Sequence, residues 1–149
     1  MKVELIDILI KKGIKGALPE HGLIDVSFGK VAIELKTVNT NYRDGLSDKK
    51  GKPITKNIQG VIKDVQKHRK NDFLHKFIVF VVFPLNDSHQ KKWVTHLDLI
   101  QTELGSICSS RSFTFTKTGE ENSSIYGRLY YGKVKALGKR SYEHRRNST

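Results

Sequence analysis

Asp25, Glu34 and Lys36 are the residues of this chain whose types and spacing are suited to chemistry. They lie in the segment 23–38, where two apolar, β-branched, alternating runs flank Gly29-Lys30. That pattern predicts a β-hairpin, with Gly29 at the first central position of a two-residue type II′ turn. The turn sets the register: Phe28 opposite Val31, Val26 opposite Ile33, Asp25 opposite Glu34. Side chains alternate faces along a strand. One face then carries Ile24, Val26, Phe28, Val31, Ile33 and Leu35 and is a core face; the other carries Asp25, Glu34 and Lys36. Two carboxylates directly opposite each other repel. Beside a lysine, they form a site for a divalent cation. The alternative for the same residues is a solvated strand face on which Lys36 screens Glu34.

The remaining elements must position this hairpin. Val3, Ile6, Leu9 and Ile10 have helical spacing over 3–12, ended by Gly13 and Gly16. Residues 39–53 read as a polar loop closed by Pro53. A helix follows, with Thr55 as N-cap and Ile58, Val61, Ile62 and Val65 on one stripe. Phe77 to Phe83 is uninterrupted apolar sequence and predicts a central strand buried on both faces. Asp87 or Ser88 caps a third helix bearing Trp93, Leu97, Ile100 and Leu104. Residues 112–117 and 125–135 are further strand candidates. The order predicts an α/β (α+β) domain, a mixed sheet flanked by helices, over residues 1–138, with a basic tail at 139–149. No apolar run reaches the ~18 residues of a membrane span, and the first residues do not read as a signal peptide. One cysteine, Cys108, forms no internal disulfide, so a cytoplasmic protein is the simplest expectation. Cys108 is expected to be structural, and His89 and His96, lacking a second ligand pair, are not expected to bind zinc.

Asp25 on one strand and Glu34-Leu35-Lys36 on the next resemble the PD-(D/E)XK nuclease superfamily. The resemblance covers residues 1 to about 85: a first helix bearing an acid, Asp on one strand, Glu-x-Lys on its partner, then a helix and a strand. It implies a restriction-endonuclease-like mixed sheet with helices on both sides. It also implies Asp25 and Glu34 as metal-binding carboxylates and Lys36 as the lysine that orients or helps deprotonate the attacking water. Glu4 resembles an additional acid that some members place near the metal, with Asp7 one turn later competing for that role. Gln59 resembles a glutamine that some members carry on the following helix. The chain departs from the pattern in two places: Ile24 rather than Pro precedes Asp25, and Gln59 lacks an accompanying tyrosine.

The chemistry suits these residue types. Phosphodiester hydrolysis needs an activated water and neutralisation of phosphoryl charge. Mg²⁺ takes oxygen ligands and is typically held by one or two carboxylates plus substrate phosphate, and Mn²⁺ is expected to substitute. The Leu35 backbone carbonyl is a further candidate ligand. An unperturbed lysine, with a pKa near 10.4, is a poor base at neutral pH, which favours orientation as the role of Lys36.

Charge names the partner class. Lys plus Arg number 27 against 15 Asp plus Glu, a net charge of +12, which points to a polyanion. Residues 43–70 hold nine Lys or Arg against three Asp, directly after the acidic hairpin. Arg43, Lys49, Lys50, Lys52 and Lys56 are therefore expected to contact phosphates, and Asn39, Asn41 and Arg43 base edges. The expected activity is that of an Mg²⁺-dependent DNA endonuclease, restriction-like or defence-related, acting on double-stranded or branched DNA as a homodimer and without a membrane partner. The alternatives are a repair or Holliday-junction-resolving nuclease of the same fold, a nucleic-acid-binding protein that does not cut, and a basic subunit of a larger complex.

Overall fold

Apolar alternation and helical spacing resolve into six strands and three helices in the computed structural model, which describes residues 2–21, 24–42, 54–116 and 124–136. Helix α1 (Lys2–Lys11) leads to β1 (Leu18–His21), β2 (Ile24–Phe28) and β3 (Val31–Asn39). Helix α2 (Ile54–Arg69), β4 (His75–Phe83), a short 3-10 turn (Asp87–His89), α3 (Gln90–Leu104), β5 (Ser109–Thr116) and β6 (Ser124–Lys133) follow. The strands form one mixed sheet in the order β1-β2-β3-β4-β6-β5. Only β3 and β4 run parallel, joined by the α2 crossover. The other neighbours are antiparallel. No helix among the described residues is long and apolar enough to cross a membrane.

The hairpin forms as its sequence predicts. Phe28 pairs with Val31 and Val26 with Ile33. Gly29 takes φ +52°, the left-handed conformation that the first central position of such a turn requires. The two faces are both covered. Glu34, Lys36 and Val38 pair with Ile78, Phe80 and Val82 of β4. Paired residues share a face, so the acid-bearing face is continuous with the main core. That core joins Ile78, Phe80 and Val82 to Ile58, Val61 and Val65 of α2, Trp93, Ile100 and Leu104 of α3, and Tyr130 of β6. The Tyr130 ring stacks on Phe80, and its hydroxyl accepts a hydrogen bond from Trp93 Nε1 at 2.7 Å. On the opposite face Val26 is fully buried; α1, which packs on β1 and β2, is the helix that covers it.

One strand is unexpected, and three expectations are corrected. β1 escapes the sequence pattern because it is a four-residue edge strand containing Pro19, a residue tolerated only where no ladder donor is needed. Thr55 lies inside α2, which begins at Ile54. The third helix starts after the 3-10 turn, with His89 as its N-cap and no side-chain capping bond; Asp87 and Ser88 belong to the turn. β4 is central, but only one of its faces is fully buried; Phe77, Val79, Val81 and Phe83 are half-buried, and among the described residues no helix covers β4 and β6 on that side. The tail at 139–149 lies outside the described residues.

At the far end of the helical layer, Arg69 joins α2 to α3. Its Nη1 lies 2.8 Å from Glu103 Oε1, its Nη2 donates to the Glu103 carbonyl, and its Nε donates to the Lys135 carbonyl. Glu103 is buried, so this pair fixes the crossover helix that lies over the acidic strand face.

Candidate functional site

One residue beyond the Val26–Ile33 pair, the hairpin register brings Asp25 opposite Glu34. Asp25 is half-buried, and its Oδ2 accepts the Leu35 backbone N–H at 2.8 Å. That bond pins the first carboxylate against the strand that carries the second. A residue's N–H and C=O leave an extended strand on the same side, so the Leu35 carbonyl also faces the β2 edge.

Helix α2 closes the site from above. Asp64 of this helix reaches Lys36, with Oδ2 2.5 Å from Nζ. The side chains are 19% and 38% exposed. Gly60 lies beside the lysine stem, where a Cβ would make an ordinary 3.8 Å contact with Lys36 Cε. One turn past Asp64, buried His68 fixes the helix to the strand. A neutral ring protonated on Nε2 donates to the Ala32 carbonyl at 3.2 Å and accepts from Asn71 Nδ2 at Nδ1, 3.0 Å away. Burial holds this histidine below the ordinary imidazole range, which suits the neutral form.

The electrostatics single out Glu34. Burial, then Asp25, then Asp64 push its carboxyl from the ordinary 4.5 up to about 7, against the opposing pull of Lys67 and Lys36. Three acids on two strands and a helix thus leave negative charge that two lysines do not cancel. No set of three or more His, Cys, Asp or Glu side chains in metal-ligating proximity occurs among the described residues. Among the described residues, the donors for a cation here are the Asp25–Glu34 pair and a backbone oxygen, completed by water.

The other candidate residues fall into separate groups. Gln59 is exposed on α2, about 140° around the helix from Asp64, and does not turn toward the acids. Glu4 is exposed on α1 and is not among the charges that act on Glu34; Asp7 pairs with Lys11 at 2.6 Å. Asn39 and Asn41 build the exit from β3. The Asn39 Oδ1 accepts the Asn41 N–H at 2.8 Å, the Asn39 carbonyl accepts from Asn57 Nδ2 at 2.7 Å, and Asn41 takes φ +55°. This is turn chemistry at the end of the strand. Lys56 is exposed on α2. Arg43, Lys49, Lys50 and Lys52 lie outside the described residues. His89 is buried beside the Tyr42 ring, with centroids 4.7 Å apart, whereas His96 lies near Trp93. Burial pushes the Cys108 thiol up to about 11, so it is not a ready nucleophile.

Sequence reasoning missed Asp64, Lys67 and His68 as neighbours of the acid pair. Asp64 stands between Lys63 and Val65 in a basic run and reads as an interspersed surface acid. The usable signal was its helical position: counting from buried Val61 and Val65, Asp64 flanks the apolar stripe and so borders the sheet. Comparison with known proteins finds no family model that matches this chain and no matching curated relative.

Proposed function

We propose that this chain is a metal-dependent nuclease of the PD-(D/E)XK type, hydrolysing phosphodiester bonds in DNA. The observation that carries the reading is the Asp25–Glu34 pair beneath α2, with Glu34 raised to about 7 by burial and by neighbouring acids. A sheet could relieve that repulsion with one amide or apolar residue; retaining both acids makes sense if a cation joins them. The order α1-β1-β2-β3-α2-β4, with an antiparallel hairpin and a parallel crossover, supports the restriction-endonuclease-like arrangement that the sequence resemblance implies.

The donors suit a hard cation. Asp25, Glu34 and the Leu35 carbonyl offer oxygen only, the chemistry of Mg²⁺ or Mn²⁺. Bound there, such an ion supplies charge for the phosphoryl oxygens and acidifies a water. Asp25 is held ready by the Leu35 N–H. Glu34 must give up its proton to act as a ligand, which makes metal affinity fall with acidity. Lys36, on the same face as Glu34, is a cation whose stem is guided past Gly60 and whose head is held by Asp64. It is placed to orient an anionic or polar group at the acid pair. Cleavage of both strands of a duplex calls for two such sites, hence a two-fold dimer; a restriction or defence role, or repair or junction resolution, follows the same chemistry.

The engagement of Lys36 by Asp64 favours a second reading, a nucleic-acid-binding protein that does not cut. Supercoiled plasmid incubated with the protein in Mg²⁺, against EDTA, separates the two. Nicked or linear product that disappears with EDTA and in Asp25→Asn supports the nuclease. Binding without conversion of any plasmid, linear or branched substrate overturns it.

A further inference from the structure

We infer that the outer face of α2 is a phosphate-binding ridge that carries a nucleic-acid backbone past the acid pair, formed by Lys56, Lys63, Lys67 and Lys70. The inference rests on the nucleic-acid part of the proposed function and is independent of cleavage. At about 100° per residue, Lys56, Lys63 and Lys67 lie within about 40° of one another around the helix. Lys70, just past the last helical residue, continues the row. All four are exposed. They stand on the side of α2 away from Ile58, Val61 and Val65, which fill the core.

The row opposes the helix's own electrostatics. Lys63 and Lys67 are one turn apart, as are Lys67 and Lys70, and like charges at that spacing destabilise a helix. Lys56 stands in the first turn, which holds no acid, where the helix dipole disfavours a cation. Among the described residues, the ion pairs within 4.0 Å are Lys11–Asp7, Lys36–Asp64 and Arg69–Glu103, and none of them includes a lysine of the row. A merely solvated helix would intersperse Glu at these positions. A row of exposed lysines outside these ion pairs is the complement of a polyanion.

The row has the length and place of a backbone track. The eleven residue steps from Lys56 to Lys67 span about 17 Å, the axial rise of about five phosphates on one duplex strand. Lys67 stands one helical turn past Asp64, whose carboxylate meets Lys36 of the acid-bearing strand, so the track passes beside the acids rather than on a remote surface. Nucleic acid fits better than an anionic membrane because the ridge has no apolar residue to insert: its intervening exposed position is Gln59.

The test is a salt titration of binding to a labelled random-sequence DNA duplex in EDTA, where cleavage does not enter. Each phosphate contact contributes about 0.9 to the log–log slope, so Lys63→Gln/Lys67→Gln should lower the slope by about two and weaken binding alike across sequences. Lys12→Gln/Lys15→Gln, in the turns after α1 and also exposed, should leave the slope unchanged. Circular dichroism checks the fold, and the two single variants, each expected to lose about one unit, replace the double variant if it unfolds. An unchanged slope overturns the ridge, as does wild-type protein that binds no duplex. Loss of binding to phosphatidylserine vesicles with duplex binding intact overturns it in favour of a membrane surface.

Discussion

Replacing Glu34 by glutamine should stabilise the protein at alkaline pH and leave it unchanged in acid. The Glu34 carboxyl titrates at about 7 in the folded chain, against 4.5 ordinarily, first through burial and then through Asp25 and Asp64. The folded state therefore holds this proton more tightly than the unfolded state. Its stabilising contribution is complete below about 4.5 and is lost as pH rises through about 7. At 1.36 kcal/mol per tenfold in proton affinity, the full difference would be roughly 3 kcal/mol. Glu34 is only half-buried, and solvent screening reduces that to about 1–2 kcal/mol. Glutamine is neutral throughout, so Glu34→Gln should gain about 1–2 kcal/mol near pH 8, a rise in Tm of about 3–6 °C for a chain of this size, and nothing near pH 4. Mg²⁺ should have the reverse dependence: it raises the wild-type Tm near pH 8 by binding the folded form, does little near pH 4, and does not stabilise the variant. Thermal melts by circular dichroism across this range, with Mg²⁺ or EDTA, measure each arm. A variant no more stable than wild type near pH 8 would refute the claim that Glu34 is an uncompensated carboxylate beneath α2.

Three further changes separate chemistry from scaffold. Asp25→Ala leaves the Leu35 N–H without its acceptor and should cost about 1–2 kcal/mol in a urea melt, whereas Asp25→Asn keeps an oxygen there and should cost little; both should lose Mg²⁺-dependent nicking. Gly60→Ala should stabilise α2 by about 0.5–1 kcal/mol, because its new Cβ meets Lys36 Cε at an ordinary 3.8 Å; a lower midpoint would mean that the helix cannot accept that contact. Gly127→Ala should destabilise by about 1–3 kcal/mol, since a Cβ there would collide with the Phe113 ring and fall 2.8 Å from the Val82 carbonyl, and an unchanged midpoint would contradict that packing.

The hairpin was legible because a two-residue turn with Gly29 leaves one register open, and that register decides which residues face each other. The stripe of Ile58, Val61 and Val65 was legible for a similar reason: its period matches one helix face. What covers a face was not legible. Alternation told Asp25 and Glu34 apart from Val26 and Ile33, but a strand's period is blind to whether water or a helix lies above it. The parallel β3–β4 pairing decides that, because it aligns Glu34 and Lys36 with Ile78 and Phe80 and so places them under the crossover helix. Asp64 was hidden for the same reason. Its partner Lys36 is 28 positions away, and no local pattern encodes a contact made by a crossover. β1 and the 3-10 turn were hidden by brevity, too short for any period to register.

The helix above the acids bears on the alternative of a solvated strand face. On such a face Asp25 and Glu34 would point to water, repulsion between them would be weak, and Lys36 would suffice to screen it. Beneath α2 the dielectric is lower and the same pair repels more strongly. Lys36, on the same strand face, is drawn toward a third acid, Asp64, and the proton affinity of Glu34 rises instead of falling. A scaffold has no use for that arrangement: Arg69 and Glu103, also half-enclosed between helices, show how this chain builds an ion pair for stability, one acid to one base with the remaining donors on carbonyls. The acid pair has the opposite balance. On the function proposed above, the acid pair takes something positive, and the exposed lysine row on the outer face of α2 takes something negative. A phosphate backbone accompanied by a divalent cation meets both demands at once.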